Sequence, residues 1–382
     1  MAQDVRRSFE AARGKLVVDR RAFVHTLGAG TLRAFAGIAA PAESAAAIHI
    51  GNNENPYGPG PGAIAAVRQM AANANRYPGF LARDLVAAIA AAHDVPREYV
   101  LISGGSGDVM RAAVYAFTNR TRALITARPS YEAPMRSAQH IGSPVIGVPL
   151  TPALRLDVVA MGAKAVGAGL VYVCSPNNPT ATVVPAADMT SMIARLASAS
   201  PDTRVLVDEA YFHYADMPGF DTMIPLVASY PRLIVTRSFS KIHGLAGMRV
   251  GYAIAHPDTI AQIKVRHSRS SLSSLSLAAA AASLDDIDNT RQMAARNRSV
   301  RAFMVDAFRA AGYRVAPSDA NFIMVNIRRD SRAFLNACGL RGVHVGRPFP
   351  PMTNWTRVSV GTQEEMSIAM EVFMDVLSAR PS

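Results

Sequence analysis

Between residues 100 and 254 the chain repeats one pattern: a short aliphatic run, a turn rich in Gly, Pro or Ser, then a segment of helical period. The runs fall at 100–103, 123–126, 170–174, 205–207, 233–236 and 249–254. Continuous apolar runs, unlike alternating ones, suit strands buried on both faces. Helices between them supply the cover, so the pattern predicts an α/β fold with a mostly parallel central sheet. Ahead of it, the Gly/Pro/Asn-dense stretch 51–62 reads as loop, with helical patterns at 63–74 and 81–93. Near residue 290 the rhythm changes. A long helix is expected over 296–311, strands near 313–315, 322–327 and 357–360, and a further helix between them. That describes a smaller α+β domain. The expected division is an N-terminal segment with a large domain over 48–285 and a small C-terminal domain over 286–382.

Charge narrows the function. The net charge is +12, from 40 Lys and Arg against 28 Asp and Glu. Such a balance invites a nucleic-acid reading. The basic residues are spread along the chain in pairs at most, such as Arg6-Arg7 and Arg328-Arg329, and aromatics are 7%. No helix-turn-helix pattern appears, so nucleic acid is not an expected partner. Only Lys15, Lys164, Lys241 and Lys264 carry amines. Chemistry that needs an amine nucleophile therefore has few candidates. Lys15 falls in the N-terminal segment, Lys164 in a Gly/Ala-rich linker, and Lys264 on a helical pattern with Arg266. Cys174 and Cys338 stand far apart with no metal-type spacing, which argues against a disulfide framework or a zinc site. No uninterrupted apolar run reaches the roughly 18 residues of a spanning helix. Residues 1–47 hold Arg20-Arg21, an apolar Gly/Ala/Leu stretch and Ala45-Ala46-Ala47. They resemble a twin-arginine export signal; an amphipathic arm on a cytoplasmic protein is the other reading.

In open α/β sheets, sites gather at the carboxyl ends of the strands. After the run at 233–236 come Ser238-Phe239-Ser240-Lys241-Ile242-His243-Gly244, then Met248-Arg249. An amine among Ser, Gly and Arg can approach a phosphate, and cationic neighbours with desolvation lower its pKa toward Schiff-base chemistry. A surface lysine is the other reading. Asp208, in Asp208-Glu209-Ala210-Tyr211, follows three aliphatic residues. It either caps a following helix or sits buried and needs a cationic partner such as a protonated ring nitrogen. Asn178, in Asn177-Asn178-Pro179-Thr180, presents an amide from a proline-fixed turn; a plain Asn-Pro turn would read the same. Gly104-Gly105-Ser106-Gly107 between a strand and a helix offers N–H groups to a phosphate. Tyr131 follows another strand, where it can lie on an aromatic ligand or pack. Arg357 can bind a carboxylate or form a surface pair.

Taken together and in this order, these motifs resemble the fold-type I pyridoxal-phosphate aminotransferases, class I/II, of the histidinol-phosphate aminotransferase-like group. The resemblance runs from about residue 48 to the C-terminus. It includes Asn53-Glu54-Asn55-Pro56-Tyr57-Gly58, Arg76-Tyr77-Pro78 and Arg357-Val358-Ser359-Val360-Gly361-Thr362. It implies a PLP-dependent transaminase acting on an amino acid and a 2-oxo acid. The implied donor is histidinol phosphate or an aromatic amino acid, and the implied acceptor is 2-oxoglutarate. Lys241 would be the Schiff-base lysine and proton shuttle. Asp208 would pair with the pyridinium nitrogen, while Tyr211 and Asn178 would contact the phenolic oxygen and Tyr131 the ring face. Gly105, Ser106, Gly107, Ser238, Ser240 and Arg249 would cradle the phosphate. Tyr77 would reach it from a second subunit, implying a homodimer with shared active sites. Arg357, Asn55 and Arg347 would bind substrate, with Arg266 an alternative second anion site. No metal is implied. Other PLP reactions on this fold, decarboxylation of an amino-acid phosphate or oxygen-dependent oxidation, would use the same cofactor residues. A non-enzymatic regulator would need a DNA-binding module, which the fifty or so residues before the domain leave no room for. Three departures stand out: Ala181 replaces a usual Gly, Gly107 a usual Asp, and Gly346-Arg347-Pro348-Phe349-Pro350-Pro351 resembles an exported or specialised subgroup.

Overall fold

A computed structural model of the chain describes residues 47–267 and 272–379. The expected export signal or arm lies outside the described residues except for Ala47. Residues from Ile48 onward form one compact unit. In chain order its first strands are β1 (Ile48–Ile50), β2 (Val100–Ser103), β3 (Leu124–Arg128), β4 (Val145–Pro149), β5 (Leu170–Cys174), β6 (Arg204–Asp208), β7 (Leu233–Ser238) and β8 (Gly251–Ala255). Then follow β9 (Arg314–Val315), β10 (Phe322–Asn326), β11 (Val343–Val345) and β12 (Trp355–Ser359).

The main sheet has seven strands in the order β2-β8-β7-β6-β5-β3-β4. Neighbours from β7 to β4 pair in parallel, and β8 alone runs against both of its neighbours. Every residue of β5 and β6 is buried, and the aliphatic residues that make up most of both strands suit burial on both faces. Successive side chains alternate between faces. Val171, Val173, Val205, Val207, Leu233 and Val235 join one core, and Leu170, Tyr172, Leu206 and Ile234 join the core on the opposite face. Each fully buried aliphatic side chain contributes roughly 1.5–3 kcal/mol. Helices Ser106–Phe117 and Pro257–Lys264 supply residues to the second core, and helices Gly79–Ala92, Ala186–Ala199 and Ser274–Asp285 to the first.

A third core gathers around β10, β12 and helices Ile287–Ala310, Ser331–Gly339 and Gln363–Ser378. Ile48 and Ile50 belong to it, because β1 pairs in parallel with β11. The N-terminal strand is thus held by the C-terminal core, although the sequence placed it with the large domain. Three-residue strands are too short to show a period. β4 was missed for a related reason: it is an edge strand, half exposed, ending on Pro149. Lys164 closes helix Val158–Lys164 and is not in a linker. Arg249, expected to open β8, precedes it in the left-handed region with φ 54°. Arg357 lies at the middle of β12 and not at its start.

Candidate active site

Beyond the carboxyl ends of β5, β6 and β7 opens a cavity of about 540 Å³. Lys241, Asp208, Tyr211, Asn178, Tyr131, Ser106, Gly107, Ser238, Ser240, Arg249, Arg347 and Arg357 all line it. The loops after three parallel strands, the first turn of a helix and a strand of the C-terminal core therefore meet at one place.

Asp208 and Glu209 are adjacent carboxylates with opposite fates. Glu209 Oε2 accepts from Arg237 Nη2 at 2.8 Å and Nε at 3.0 Å, and its Oε1 accepts from Met223 N at 2.8 Å. That pair is buried and compensated. Asp208 is 3% exposed and accepts from neutral hydroxyls, Tyr172 Oη at 3.0 Å and Thr236 Oγ1 at 3.1 Å. Tyr172 and Thr236 face it because they share its side of the sheet, Thr236 in direct register. Asp208 caps no helix; the short turn that follows begins at Tyr211. Desolvation raises its pKa to about 6, against the lowering effect of those hydrogen bonds.

Lys241 Nζ donates to the carbonyls of Asn52 at 3.1 Å and Asn53 at 2.9 Å. Burial, then the Arg357 charge, lowers its pKa to about 8. Asn53 is one of the residues that the sequence did not mark. It is 1% exposed, with φ 55°. Its N–H donates to Ser359 Oγ at 2.8 Å, its Nδ2 to Tyr211 Oη at 3.1 Å, and its Oδ1 accepts from Ser359 Oγ at 2.9 Å. Asn tolerates the left-handed region better than most residues, which was the available signal.

At one end of the cavity, helix Ser106–Phe117 starts at Gly105 (φ 94°) without a side-chain cap, so its first N–H groups are open to an anion. Gly105 itself does not line the cavity. A Cβ there would meet Arg249 Nη2 at 2.6 Å, so the glycine lets that guanidinium close on the turn. Arg249 Nη1 donates to Ser240 Oγ at 3.3 Å, and Ser238 Oγ accepts from Ser240 N at 3.1 Å. At the other end, Arg357 Nη1 donates to Asn178 Oδ1 at 2.7 Å and Nη2 to the carbonyl of Gly51. Its Nε is buried without a partner. Desolvation first, with the Arg347 charge, lowers its pKa to about 10. Tyr131 is half-buried, and desolvation with Asp208 nearby raises its pKa. Ala181 takes φ 62° where glycine would fit without strain.

Three expected residues lie elsewhere. Asn55 is outside the cavity: its Nδ2 donates to the Ile242 carbonyl at 2.9 Å and its Oδ1 accepts from Tyr57 N at 3.1 Å, which fixes the loop. Tyr77 is fully exposed and does not reach the cavity of its own chain. Arg266 is exposed after helix Pro257–Lys264 and does not line it either.

The profile for aminotransferase class I and II matches residues 46–373. The chain belongs to that family. A histidinol-phosphate aminotransferase of Symbiobacterium thermophilum is 36% identical over 83% of this chain and 87% of its own length. An aromatic amino acid aminotransferase of Streptomyces coelicolor is 35% identical over 88% and 92%. The structure of a histidinol-phosphate aminotransferase from Sinorhizobium meliloti, in complex with pyridoxal-5'-phosphate, superposes with a TM-score of 0.80 at 26% identity, covering 87% of this chain and 91% of that one. The family's cofactor fits the donor set: a buried carboxylate with only neutral partners for a ring nitrogen, an amine of lowered pKa, and an open helix N-terminus with Arg249 for the phosphate.

Asp208 titrates near pH 6 when folded, against 3.8 when solvated. Between those values the folded, cofactor-free chain holds the proton more tightly than the unfolded one. Stability therefore falls as pH rises from about 4 to about 6, by up to about 3 kcal/mol, and stays lower above. Asp208→Asn is expected to raise the melting temperature of cofactor-free protein at pH 8, to change it little at pH 4, and to lower turnover by orders of magnitude. A lower melting temperature at pH 8 would show that the charge is structural.

Proposed function

We propose that this aminotransferase takes its amino group from histidinol phosphate or an aromatic amino acid and delivers it to 2-oxoglutarate. The observation that carries the donor class is the pair of guanidinium groups on one ring. Arg347 and Arg357 lie 4.4 and 4.9 Å from the centre of Phe349. Two cations beside an aromatic face suit a ligand that joins an anion to a ring. The names of the curated relatives support the same class. They do not favour decarboxylation or oxygen-dependent oxidation.

When bound, pyridoxal phosphate supplies a carbonyl that condenses with amines and a ring that withdraws electrons from the amino carbon. Lys241 Nζ is the group placed to carry it, to take the proton from the substrate α-carbon and to return it. Its lowered pKa leaves a usable unprotonated fraction near neutral pH. Asp208 favours a protonated ring nitrogen. Asn178 Oδ1 is held by Arg357, which leaves Nδ2 to donate to the ring oxygen. Tyr211 Oη, already accepting from Asn53, remains free to donate there too. Arg249, Ser106, Gly107, Ser238 and Ser240 hold the phosphate, and Arg357 the substrate anion. Glutamate formation from 2-oxoglutarate across a donor panel tests this reading. Histidinol phosphate and the aromatic amino acids are expected to lead; glutamate from neither contradicts it.

A homodimer is part of the proposal. Its support is the full exposure of Tyr77 and the exposure of Phe80, which leave a Tyr free to enter a neighbouring cavity. Export rests on Arg20-Arg21 and the apolar stretch after them. Native mass spectrometry reads both, with a dimer of chains lacking roughly the first 46 residues expected. A monomer contradicts the first, and an intact Met1 start the second.

A further inference from the structure

Glu132 directly follows Tyr131 at the start of helix Ala133–His140 and does not cap that helix. Its Oε2 instead accepts from Arg136 Nη1 at 3.0 Å and forms an ion pair with Arg347 Nη2 at 2.9 Å. Glu132, Arg136 and Arg347 all line the cavity. Arg136 and Arg347 are 65% and 52% exposed, and Glu132 29%. The bridge therefore stands at the mouth, joining the loop after β3 to the loop between β11 and β12. Behind it, Arg357 is 7% exposed and bound to Asn178.

We infer that Glu132 is a specificity residue, a built-in carboxylate that occupies Arg347 until the distal carboxylate of a dicarboxylic substrate displaces it. The inference rests on the proposed function for its substrates. Arg136 is what makes the exchange possible. When a substrate anion takes Arg347, Glu132 keeps one cation and is not left unpaired beside an incoming negative charge. With a neutral or aromatic side chain in the cavity, Glu132 returns to Arg347, so no guanidinium stands uncompensated against the ring. One cavity thereby accepts two substrates of different charge, and the cost of exchange is small because exposed ion pairs are weak. The α-carboxylate is recognised deeper, at Arg357, and does not compete.

The test is calorimetric binding of two unreactive acids to the cofactor-loaded protein. Glutarate carries the second carboxylate and pentanoate does not. Glu132→Gln is expected to tighten glutarate by about fivefold, near the upper end of what one exposed ion pair is worth, and to leave pentanoate within about twofold. Adding Arg347→Gln is expected to remove the gain. Glutarate affinity unchanged or weakened in Glu132→Gln, or both acids shifting together, overturns the inference. Because neither acid reacts, the result stands apart from the donor panel: a panel that yields no glutamate sinks the proposed reaction and leaves the exchange at Arg347 to be judged on binding.

Discussion

Asp208 carries a carboxylate into the core with two hydroxyls and, among the described residues, no cation paired with it. Such a group is costly in a low-dielectric interior. The neighbouring Glu209 shows what ordinary compensation looks like, since Arg237 grips it with two nitrogens. The sheet makes the difference. Alternation along β6 sends Glu209 to one side and Asp208 to the other, where β5 and β7 offer Tyr172 and Thr236. The aliphatic strands around it stabilise the fold enough to hold the unpaired charge. Lys241 is strained in the opposite sense, an amine pushed toward neutrality by burial and by Arg357. One ligand with a protonated ring and a carbonyl would relieve both imbalances.

The cavity is held by contacts that span the whole chain. Asn53 ties the N-terminal loop to Ser359 and Tyr211, and Asn321 Nδ2 donates to its carbonyl at 3.0 Å. Arg357 joins the same loop to the turn after β5. Gly244, with φ 67°, lets that loop lie against the lysine turn, since a Cβ there would meet the Gly58 carbonyl. Site and fold are therefore one network: the loop that receives Lys241 is placed by strands from the C-terminal core.

Much of this was legible in the sequence, and for physical reasons. The main strands other than β4 showed themselves because burial on both faces demands continuous aliphatic residues. Lys241, Asp208 and Asn178 could be picked out because each ends or follows such a strand, and Arg357 because it opens the Arg357-Val358-Ser359-Val360-Gly361-Thr362 motif. What stayed hidden depended on register or distance. Asn55 looked like the functional residue of its loop, but the left-handed turn at Asn53 hands that place to Asn53 and its neighbours. Nothing in the run 170–174 marks Tyr172, whose hydroxyl reaches Asp208 only through the register of β5 and β6. Glu132 and Arg347, more than two hundred residues apart, are brought together only by tertiary structure. β1 and β11 were too short to carry a period.

Of the four lysines, Lys241 is the amine that lines the cavity and is placed to meet the cofactor. Borohydride reduction of the cofactor-loaded protein, followed by peptide mass mapping, reads which amine carries it. The pyridoxyl label is expected on the peptide that contains Lys241 and on no other. Label on the peptide of Lys15, Lys164 or Lys264, or none on that of Lys241, would show that Lys241 is not the cofactor's amine.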